Sequence, residues 1–531
     1  MAENNQKRKK NVQGAVVLLL VTWTLLLLLL IFILVLRLQG YDNFQEWRQA
    51  GGVSVTEAPE MTVSPAPTEE PRGTETPTET PIPTEALTPT EAPTPTPMVR
   101  DEARLAQMEA AYGTTEKTYG TVSTKSTEEG TVTVFRAVPI AMGEVLDAAA
   151  EAAEERLLTQ AKEQTVAENA EAAELYLNYD SYRREGFVSL VFHLTSVITK
   201  EGRQTETTTT TAVTFLAATG EELTGRTLFS ESYFAILKER LMELLPKQFP
   251  ETAEAAFLSY ETPYRAADYQ QYYIKEDKVV FLFGENTLSG AEHPAFTYET
   301  ELTEALWFMH YDLSGTERKA VIRELDPNTK MVALTFDDGP YPPVDKKILE
   351  SLLAHNGRAT FFSVADRVKG SYVTMLQELY AAGNEIASHT YSHKYFNKMK
   401  GDTLYRTLWP EVNQANLIIA KAVGQAPAYV RMPGGVKVDY MKNMPFPMVN
   451  WSVSSEDWDN RDKDVTFANV TKNLKDGDIV LMHSLYPSTA EATEMILDYM
   501  EENGFLCVTL SELFYYKNKT IENGKTYTNG R

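Results

Sequence analysis

The stretch that decides the fold is MVALTFDDGPYPP, residues 331–343. A mostly apolar run, 331–336, ends at two adjacent carboxylates, Asp337 and Asp338, which are followed by a Gly-Pro turn. An apolar run that stops at a turn is typical of a buried strand. Two carboxylates side by side repel and raise one another's pKa, so the pattern predicts that the two acids have separate roles.

The pattern of an apolar run followed by a helical segment recurs from about residue 326 onward. Strand-like runs occur at 331–336, 358–364, 384–388, 428–432, 448–453, 478–482 and 505–510. Strands that are apolar throughout and alternate with amphipathic helices indicate a parallel sheet covered by helices. The sequence therefore predicts an α/β domain of seven βα repeats, closed or nearly closed as a barrel, at 323–518, with a flexible tail at 519–531.

Polar side chains follow several of these strands, at the end where parallel barrels place their catalytic groups. They are Asp337 and Asp338 at the first strand, His389 and His393 at the third, Arg431 at the fourth, Asp457 and Trp458 at the fifth, and His483 at the sixth. Taken singly, each is more often a turn, rim or core residue. Because all of them are predicted to lie at the same end of the barrel, the pattern predicts a functional site.

Two imidazoles and one carboxylate suit Zn²⁺ or a similar cation and leave a position open for water. Such a cation would keep one aspartate ionised and leave the other as a general base. Arg431 would orient that free acid, and His483 near Asp457 would keep its proton and act as a general acid. Gly434 can offer a backbone N–H to an oxyanion. The spacing of the two site histidines also fits a zinc protease, but Thr390 stands where such enzymes carry glutamate. The set therefore predicts hydrolysis of an amide or ester.

The N-terminus predicts a membrane anchor. The uncharged run at 14–36 would span roughly 34 Å as a helix, enough for a bilayer core. Four basic residues at 7–10 precede it, so the positive-inside rule puts 1–13 in the cytoplasm and the rest outside. A cleaved signal peptide is the alternative, but the run is too long and no A-x-A-like site follows. We therefore expect a single-pass cell-membrane protein with a transmembrane helix at 14–37.

Two further segments separate the predicted anchor from the barrel. Residues 38–98 are rich in Pro, Thr and Glu and are predicted to form an extended stalk. Residues 99–322 mix helical and strand patterns, which predicts an α+β accessory domain. Helical patterns occur at 144–177 and 233–246, and a hairpin is predicted at 272–284. The single cysteine suits a Gram-positive bacterial surface, and the net charge of −24 argues against nucleic-acid binding.

Five short motifs in this order resemble those of the polysaccharide deacetylases of the NodB-homology type, carbohydrate esterase family 4. They are TFDDGP at 335–340, HTYSH at 389–393, RMPGG at 431–435, EDW at 456–458 and LMH at 481–483. The resemblance implies a distorted (β/α)7 barrel with Zn²⁺, Co²⁺ or another divalent metal. It also implies removal of N- or O-acetyl groups from polysaccharides.

The resemblance also implies a role for each matching residue. It makes Asp337 the base; Asp338, His389 and His393 the metal ligands; Arg431 the partner of the base; Gly434 the oxyanion donor; Asp457 the tuning acid and His483 the general acid. Trp458, Tyr341 and Pro433 are expected to line the substrate groove. Ser454 and Ser484 depart from the family, which commonly has Asp at both positions.

The predicted anchor and stalk would hold the barrel within the cell wall. We therefore expect the substrate to be cell-wall peptidoglycan, deacetylated at its N-acetylglucosamine. N-acetylmuramic acid, chitin-like oligomers and xylan stay open as alternatives. The accessory domain resembles the RsiV-like extracellular domain, through FSESYFAILKERLMELLP at 229–246 and YYIKEDKVVFLFG at 272–284. That resemblance raises a second hypothesis, a non-catalytic wall-binding or lysozyme-sensing surface protein. The retained site residues speak against it.

Overall fold

The computed structural model describes residues 88–89, 121–129, 132–140, 142–250, 258–262, 264–318 and 322–531. The predicted cytoplasmic tail, the transmembrane helix and all of the stalk except 88–89 lie outside these residues. Across the described ranges, no helix combines the length and apolar character that a bilayer crossing requires.

The region before residue 319 has the predicted α+β character. Its elements are β1 (Thr88–Pro89), β2 (Thr121–Glu129), β3 (Val132–Ile140), α1 (Glu144–Ala167), β4 (Ala172–Arg184), β5 (Phe187–Lys200), β6 (Arg203–Leu216), β7 (Glu222–Leu223), α2 (Gly225–Leu228), α3 (Glu231–Gln248), β8 (Tyr272–Lys275), β9 (Lys278–Phe283), β10 (Phe296–Glu301) and α4 (Leu302–Ala305). One sheet has the order β2-β3-β4-β5-β6-β7 and the other β1-β10-β9-β8. We call residues 121–318 the accessory region.

The strand patterns of this region are confirmed where they alternate most clearly. β5 pairs antiparallel with β6 from Phe187 opposite Leu216 to Lys200 opposite Arg203. β8 and β9 form the hairpin expected over 272–284. The amphipathic run at 233–246 lies in α3, whose apolar side chains are buried.

The helical pattern that starts at Glu144 was expected to continue to about residue 177, and this part of the prediction is wrong. The helix ends at Ala167, and a strand begins at Ala172. Leu175 and Leu177 are fully buried there, in a strand that pairs in parallel with β3. Helix propensity is a weak prior, and burial of these alternating leucines overrides the Ala- and Glu-rich composition.

The C-terminal domain, residues 322–531, alternates strands with helices. Its elements are β11 (Lys330–Gly339), α5 (Pro342–Ala354), β12 (Thr360–Ser363), α6 (Ser371–Ala381), β13 (Glu385–Ser388), α7 (Gly401–Val423), β14 (Met448–Val449), β15 (Val453–Ser454), α8 (Asp457–Asn460), α9 (Lys463–Thr471), β16 (Ile479–His483), α10 (Pro487–Glu502), β17 (Phe505–Cys507), α11 (Leu510–Tyr516) and β18 (Thr526–Tyr527). The sheet order is β13-β12-β11-β16-β15, with β17 beside the start of β11, and all of these pairs are parallel.

Strand β11 lies at the centre of this sheet because both of its faces are apolar. Val332, Leu334 and Phe336 pack with helices α5, α6 and α10. Met331 and Ala333 point to the opposite face, where they pack with α11 and β14. Alternate side chains of a strand point to opposite faces, so a strand that is apolar throughout must be covered on both.

The predicted parallel sheet is confirmed, but the fifth of the seven predicted strands, 448–453, is divided into β14 and β15, and the fourth is much reduced. At 428–432, Val430 alone forms bridges, to Ser388 on one side and to Met448 on the other. Prolines at 427 and 433 flank this residue and lack the N–H that a longer ladder requires.

The segment after residue 518 is packed, which corrects the prediction of a flexible tail. Strand β18 pairs in parallel with β14, and Tyr527 is buried. The Arg531 guanidinium contacts the Asp478 carboxylate at 2.8 Å. The composition of this segment is mostly polar, and the pattern did not indicate the two-residue strand that pairs with β14.

Candidate active site

The carboxyl ends of β11, β13 and β16 bring together most of the predicted site. Asp337 at the end of β11 lies directly opposite His483 at the end of β16. His389 follows β13 immediately, and its backbone N–H donates to Ser363 at the end of β12. Parallel strands thus deliver these side chains to one edge of the sheet.

The two adjacent aspartates are separated by a bulge in β11. The register of β11 against β12 shifts between Asp337 and Gly339, and Asp338 has a φ of 70°. A bulge redirects a side chain relative to its neighbour. The Asp337 carboxylate therefore contacts Arg431, whereas that of Asp338 faces His393.

Arg431 is a fully buried cation that holds the Asp337 carboxylate. Its Nη1 donates to Asp337 Oδ1 at 2.7 Å and to Thr335 Oγ1 at 2.8 Å. Its Nε donates to the Val449 carbonyl at 2.8 Å, and its guanidinium lies 4.0 Å from the centre of the Phe362 ring. Burial raises the pKa of Asp337 above its ordinary value, and the charge of Arg431 opposes that rise. Asp337 is thus a stronger base than a solvated aspartate.

Asp338, His389 and His393 form a cluster that fits a divalent cation. Their ligand atoms all lie within 4.8 Å of one another, and no other group of three such side chains in the described ranges meets this condition. His389 Nδ1 lies 2.7 Å from the Arg431 carbonyl oxygen, which can only accept, so Nε2 keeps its lone pair. Burial lowers the pKa of His389 to about 3, which keeps its imidazole neutral. A neutral imidazole fixed by a carbonyl is the usual form of a metal-binding histidine.

His483 and Asp457 form a second charged pair beside the cluster. His483 Nδ1 lies 2.7 Å from Asp457 Oδ1, and the His483 backbone N–H donates to Oδ2 at 2.8 Å. The hydroxyls of Ser455 and Thr489 also donate to the Asp457 carboxylate, at 2.8 and 2.6 Å. Burial alone would lower the pKa of His483, but the hydrogen bond and the charge of Asp457 raise it to about 9. His483 is therefore protonated at neutral pH and can donate a proton.

Gly434 lies in a short 3-10 turn, Pro433–Gly435, just after Arg431. Its φ of 65° favours glycine, and a Cβ there would lie 2.7 Å from Tyr395 Cε1. The Tyr395 ring also meets His393 edge-on, with ring centres 5.4 Å apart, and is 55% exposed. Tyr395 was not predicted as a site residue, although it follows HTYSH by only two positions.

The predicted groove residues have mixed positions. Trp458 is 49% exposed and directly follows Asp457, which suits a surface that meets a ligand. Pro433 is buried and opens the turn that carries Gly434, so it supports the turn more than it lines a groove. Tyr341 is half-buried at the start of α5, where its ring meets that of Tyr372.

A buried carboxylate beneath the DDGP turn was also missed by sequence reasoning. Asp345 is fully buried and accepts the Tyr341 N–H at 2.6 Å. A Cβ at Gly339 would lie 3.4 Å from Asp345 Oδ2 and 3.1 Å from Ser484 Oγ, so both side chains approach the turn closely. Burial raises the pKa of Asp345 to about 7. Ser484, one of the two departures from the family motifs, thus lies beside an acid supplied by α5.

The C-terminal domain is similar to known proteins of one enzyme family. The family profile described as "Polysaccharide deacetylase" matches residues 324–445. A "Peptidoglycan-N-acetylglucosamine deacetylase" of Bacillus cereus is 32% identical over 204 residues, which cover 37% of this chain and 93% of that protein. The chain belongs to the polysaccharide deacetylase family. We call residues 322–531 the deacetylase domain.

A longer relative is also similar to part of this chain. "Peptidoglycan-N-acetylmuramic acid deacetylase PdaC" of Bacillus subtilis is 34% identical over 190 residues, 36% of this chain. The chain spans only 40% of the length of that relative. The solved structure of peptidoglycan deacetylase PdaC from Bacillus subtilis is 34% identical, covers 37% of this chain and 95% of that chain, and has a TM-score of 0.35.

The buried arginine of the deacetylase domain gives a stability prediction. Arg431→Met leaves the Asp337 carboxylate buried without its counter-charge. We expect this to lower the free energy of unfolding at pH 7 by about 3–5 kcal/mol. Urea unfolding of the full chain, followed by tryptophan fluorescence, measures the change.

The matched control is Arg406→Met, which removes an exposed arginine that pairs with Asp402 at 2.6 Å on α7. An exposed pair contributes little, so its urea midpoint should stay at the wild-type value. Equal midpoints for Arg431→Met and Arg406→Met would contradict the role given to the buried pair.

Proposed function

We propose that this chain is a metal-dependent deacetylase that removes N-acetyl groups from cell-wall peptidoglycan, acting on N-acetylglucosamine and releasing acetate. The observation that carries the proposal is the arrangement at the ends of β11, β13 and β16. A cation-binding cluster lies there beside a buried base, Asp337, and a protonated histidine, His483. A binding module has no need of this combination.

Asp338, His389 and His393 would hold the cation, with Zn²⁺ the first candidate and Co²⁺ or another divalent ion also suited to this donor set. When bound, such a cation supplies Lewis acidity, which stabilises negative charge on the reacting acyl oxygen. The rest of the chemistry belongs to side chains and backbone of this chain.

Asp337 is the general base that takes a proton from the attacking water. The water oxygen bonds to the acetyl carbon, and the backbone N–H of Gly434 donates to the oxygen that becomes negative. Arg431 keeps the Asp337 carboxylate ionised before the reaction and orients it. The C–N bond then breaks as the leaving nitrogen takes a proton from His483, which yields acetate and a free amine. Asp457 stabilises the imidazolium form of His483 until that transfer.

The substrate proposal rests on relatives and on the N-terminal sequence. The Bacillus cereus relative carries N-acetylglucosamine in its name, and PdaC carries N-acetylmuramic acid. Both sugars occur in peptidoglycan, so both names support this polymer as the substrate. The proposed single-pass anchor at 14–37 and the stalk at 38–98 would hold the domain outside the membrane, within reach of the wall.

The test is acetate release from purified peptidoglycan by the full chain in detergent. We expect release in the presence of Zn²⁺ or Co²⁺, loss of about 10²-fold or more after chelation, and recovery when metal is restored. Mass spectrometry of the muropeptides then identifies the deacetylated sugar. Deacetylation of muramic acid alone would replace the glucosamine assignment, and absence of acetate from any metal-loaded sample would overturn the proposed function.

A further inference from the structure

The segment at 433–446 contains Gly434, leads to strand β14 and is largely apolar. Tyr440, Met441, Met444 and Phe446 are each buried. These side chains pack in one buried cluster with Trp409 and Val412 of α7 and, notably, with Ala235 of the accessory region. The segment that carries the oxyanion donor is thus buried partly against another region of the chain.

One hydroxyl connects the segment to both α7 and the accessory region. Tyr440 Oη accepts a hydrogen bond from Trp409 Nε1 at 2.8 Å and donates to the backbone carbonyl of Tyr260. Trp409 Nε1 also approaches that carbonyl, at 3.3 Å. Tyr260 belongs to the accessory region, so a single polar group fixes three chain segments to one another.

Helix α3 of the accessory region packs along α7 beside this point. Glu239 of α3 accepts a hydrogen bond from Asn413 of α7 at 2.7 Å, and Asn413 is buried. Ala235, one turn earlier on α3, is only 3% exposed and faces the segment's cluster. The contact between the two regions therefore combines apolar packing with buried hydrogen bonds and resembles a core more than a linker.

The C-terminal residues hold the same segment from another direction. The Gly524 N–H donates to the Phe446 carbonyl at 3.1 Å, and a Cβ on Gly524 would collide with the Lys442 carbonyl oxygen. Asn523 in turn donates to Glu231 of α3 at 2.9 Å. The 433–446 segment is thus enclosed between the accessory region and the C-terminal residues.

We propose that the accessory region is a positioning element of the active site: α3 and Tyr260 fix the 433–446 segment and thereby hold Gly434 where its N–H meets the developing oxyanion. The inference rests on the proposed function for its kinetic consequence, but not for its structural one. It extends the accessory region from a spacer or wall-binding module to a part of the catalytic unit.

Two full-chain variants test this inference. Ala235→Glu puts a carboxylate into the buried cluster, and we expect a fall in kcat of about tenfold or more, because a misplaced oxyanion donor weakens transition-state binding. KM and the bound metal should change little. Tyr440→Phe removes both hydrogen bonds of the hydroxyl while keeping the ring, and should lower kcat by a few-fold. Lys247→Glu, at an exposed position of the same helix α3, is the charge control and should match wild type.

Hydrogen exchange supplies a readout that is independent of activity. In Ala235→Glu and Tyr440→Phe, amides of 433–446 should exchange faster than in wild type, while those of 331–336 in the central strand keep their protection. The inference would be overturned if the wild type releases acetate and both variants have the wild-type kcat and the wild-type exchange rates at 433–446. If the wild type releases no acetate, the proposed function is refuted instead. Hydrogen exchange in the variants would then still decide whether the accessory region fixes the 433–446 segment. If Ala235→Glu fails to fold, Tyr440→Phe decides alone.

Discussion

Asp337→Asn is expected to reduce acetate release by about 10²–10⁴-fold while the protein keeps its metal. The reason is the contact that Asp337 makes: its carboxylate is paired with Arg431 at 2.7 Å and is not one of the three clustered ligands. An amide at this position keeps the shape of the side chain but cannot accept the proton of the attacking water. The variant should therefore lose kcat and retain about one metal ion per chain.

Asp338→Asn is the matched change at the neighbouring residue and should have the opposite signature. Asp338 Oδ1 lies 3.6 Å from His389 Nε2 and 3.2 Å from His393 Nε2 and would supply the charged ligand of the proposed metal site, so the amide should lose metal affinity. Metal analysis after dialysis and acetate release at saturating metal separate the two variants. Glu350→Gln, on the exposed side of α5, should behave as wild type in both assays. If Asp337→Asn and Asp338→Asn bound metal equally well, the division of roles between the two aspartates would be wrong.

The site residues that could be predicted from the sequence are those that lie at the ends of strands. β13 ends at the predicted position, β16 ends one residue later at His483, and β11 continues past its predicted end to include both aspartates. Asp337, His389 and His483 could therefore be placed at one edge from periodicity alone. Parallel pairing then brings them together without further information. The cluster of Asp338, His389 and His393, which could hold a metal ion, follows from the same reasoning, since its members lie at or just after these strand ends.

Features of the site that depend on tertiary contacts could not be predicted from the pattern of apolar and polar residues. The bulge at Asp338 separates the two carboxylates, but the strand predicted from the sequence ended at residue 336, before the bulge. Asp345 lies in an amphipathic helix, and only the close approach of Gly339 and Ser484 reveals its position under the turn. The packing of Ala235 against the 433–446 segment likewise joins residues about 200 positions apart, a separation that local propensity cannot bridge.

Replacing Asp457 by asparagine (Asp457→Asn) should shift the pH dependence of the reaction toward acid. In the wild-type chain the pKa of His483 is raised to about 9, because the hydrogen bond and the charge of Asp457 outweigh the effect of burial. A general acid must be protonated, so the alkaline limb of wild-type kcat/KM should fall as the pH rises through about 9, while ionisation of the base Asp337 sets the acid limb. In the variant the charge of Asp457 is gone, and burial is opposed only by the weaker effects of the Asp337 and Asp338 charges, so the pKa of His483 should fall toward the ordinary histidine value of about 6.5. At about pH 8 an imidazole with a pKa near 6.5 is only about 3% protonated, so the variant should then have lost about 30-fold in activity.

Thr489→Val separates this charge effect from loss of packing. The Thr489 hydroxyl donates to the same Asp457 carboxylate at 2.6 Å, so the variant removes a buried hydrogen bond but leaves the charge beside His483. Its alkaline limb should therefore stay near pH 9 even if its stability falls. Acetate release measured from about pH 5 to about pH 10 at saturating metal gives the limb for all three proteins. An alkaline limb that does not move in Asp457→Asn would show that His483 is not the group whose proton the reaction needs, because removing the Asp457 charge must lower the pKa of its imidazole partner.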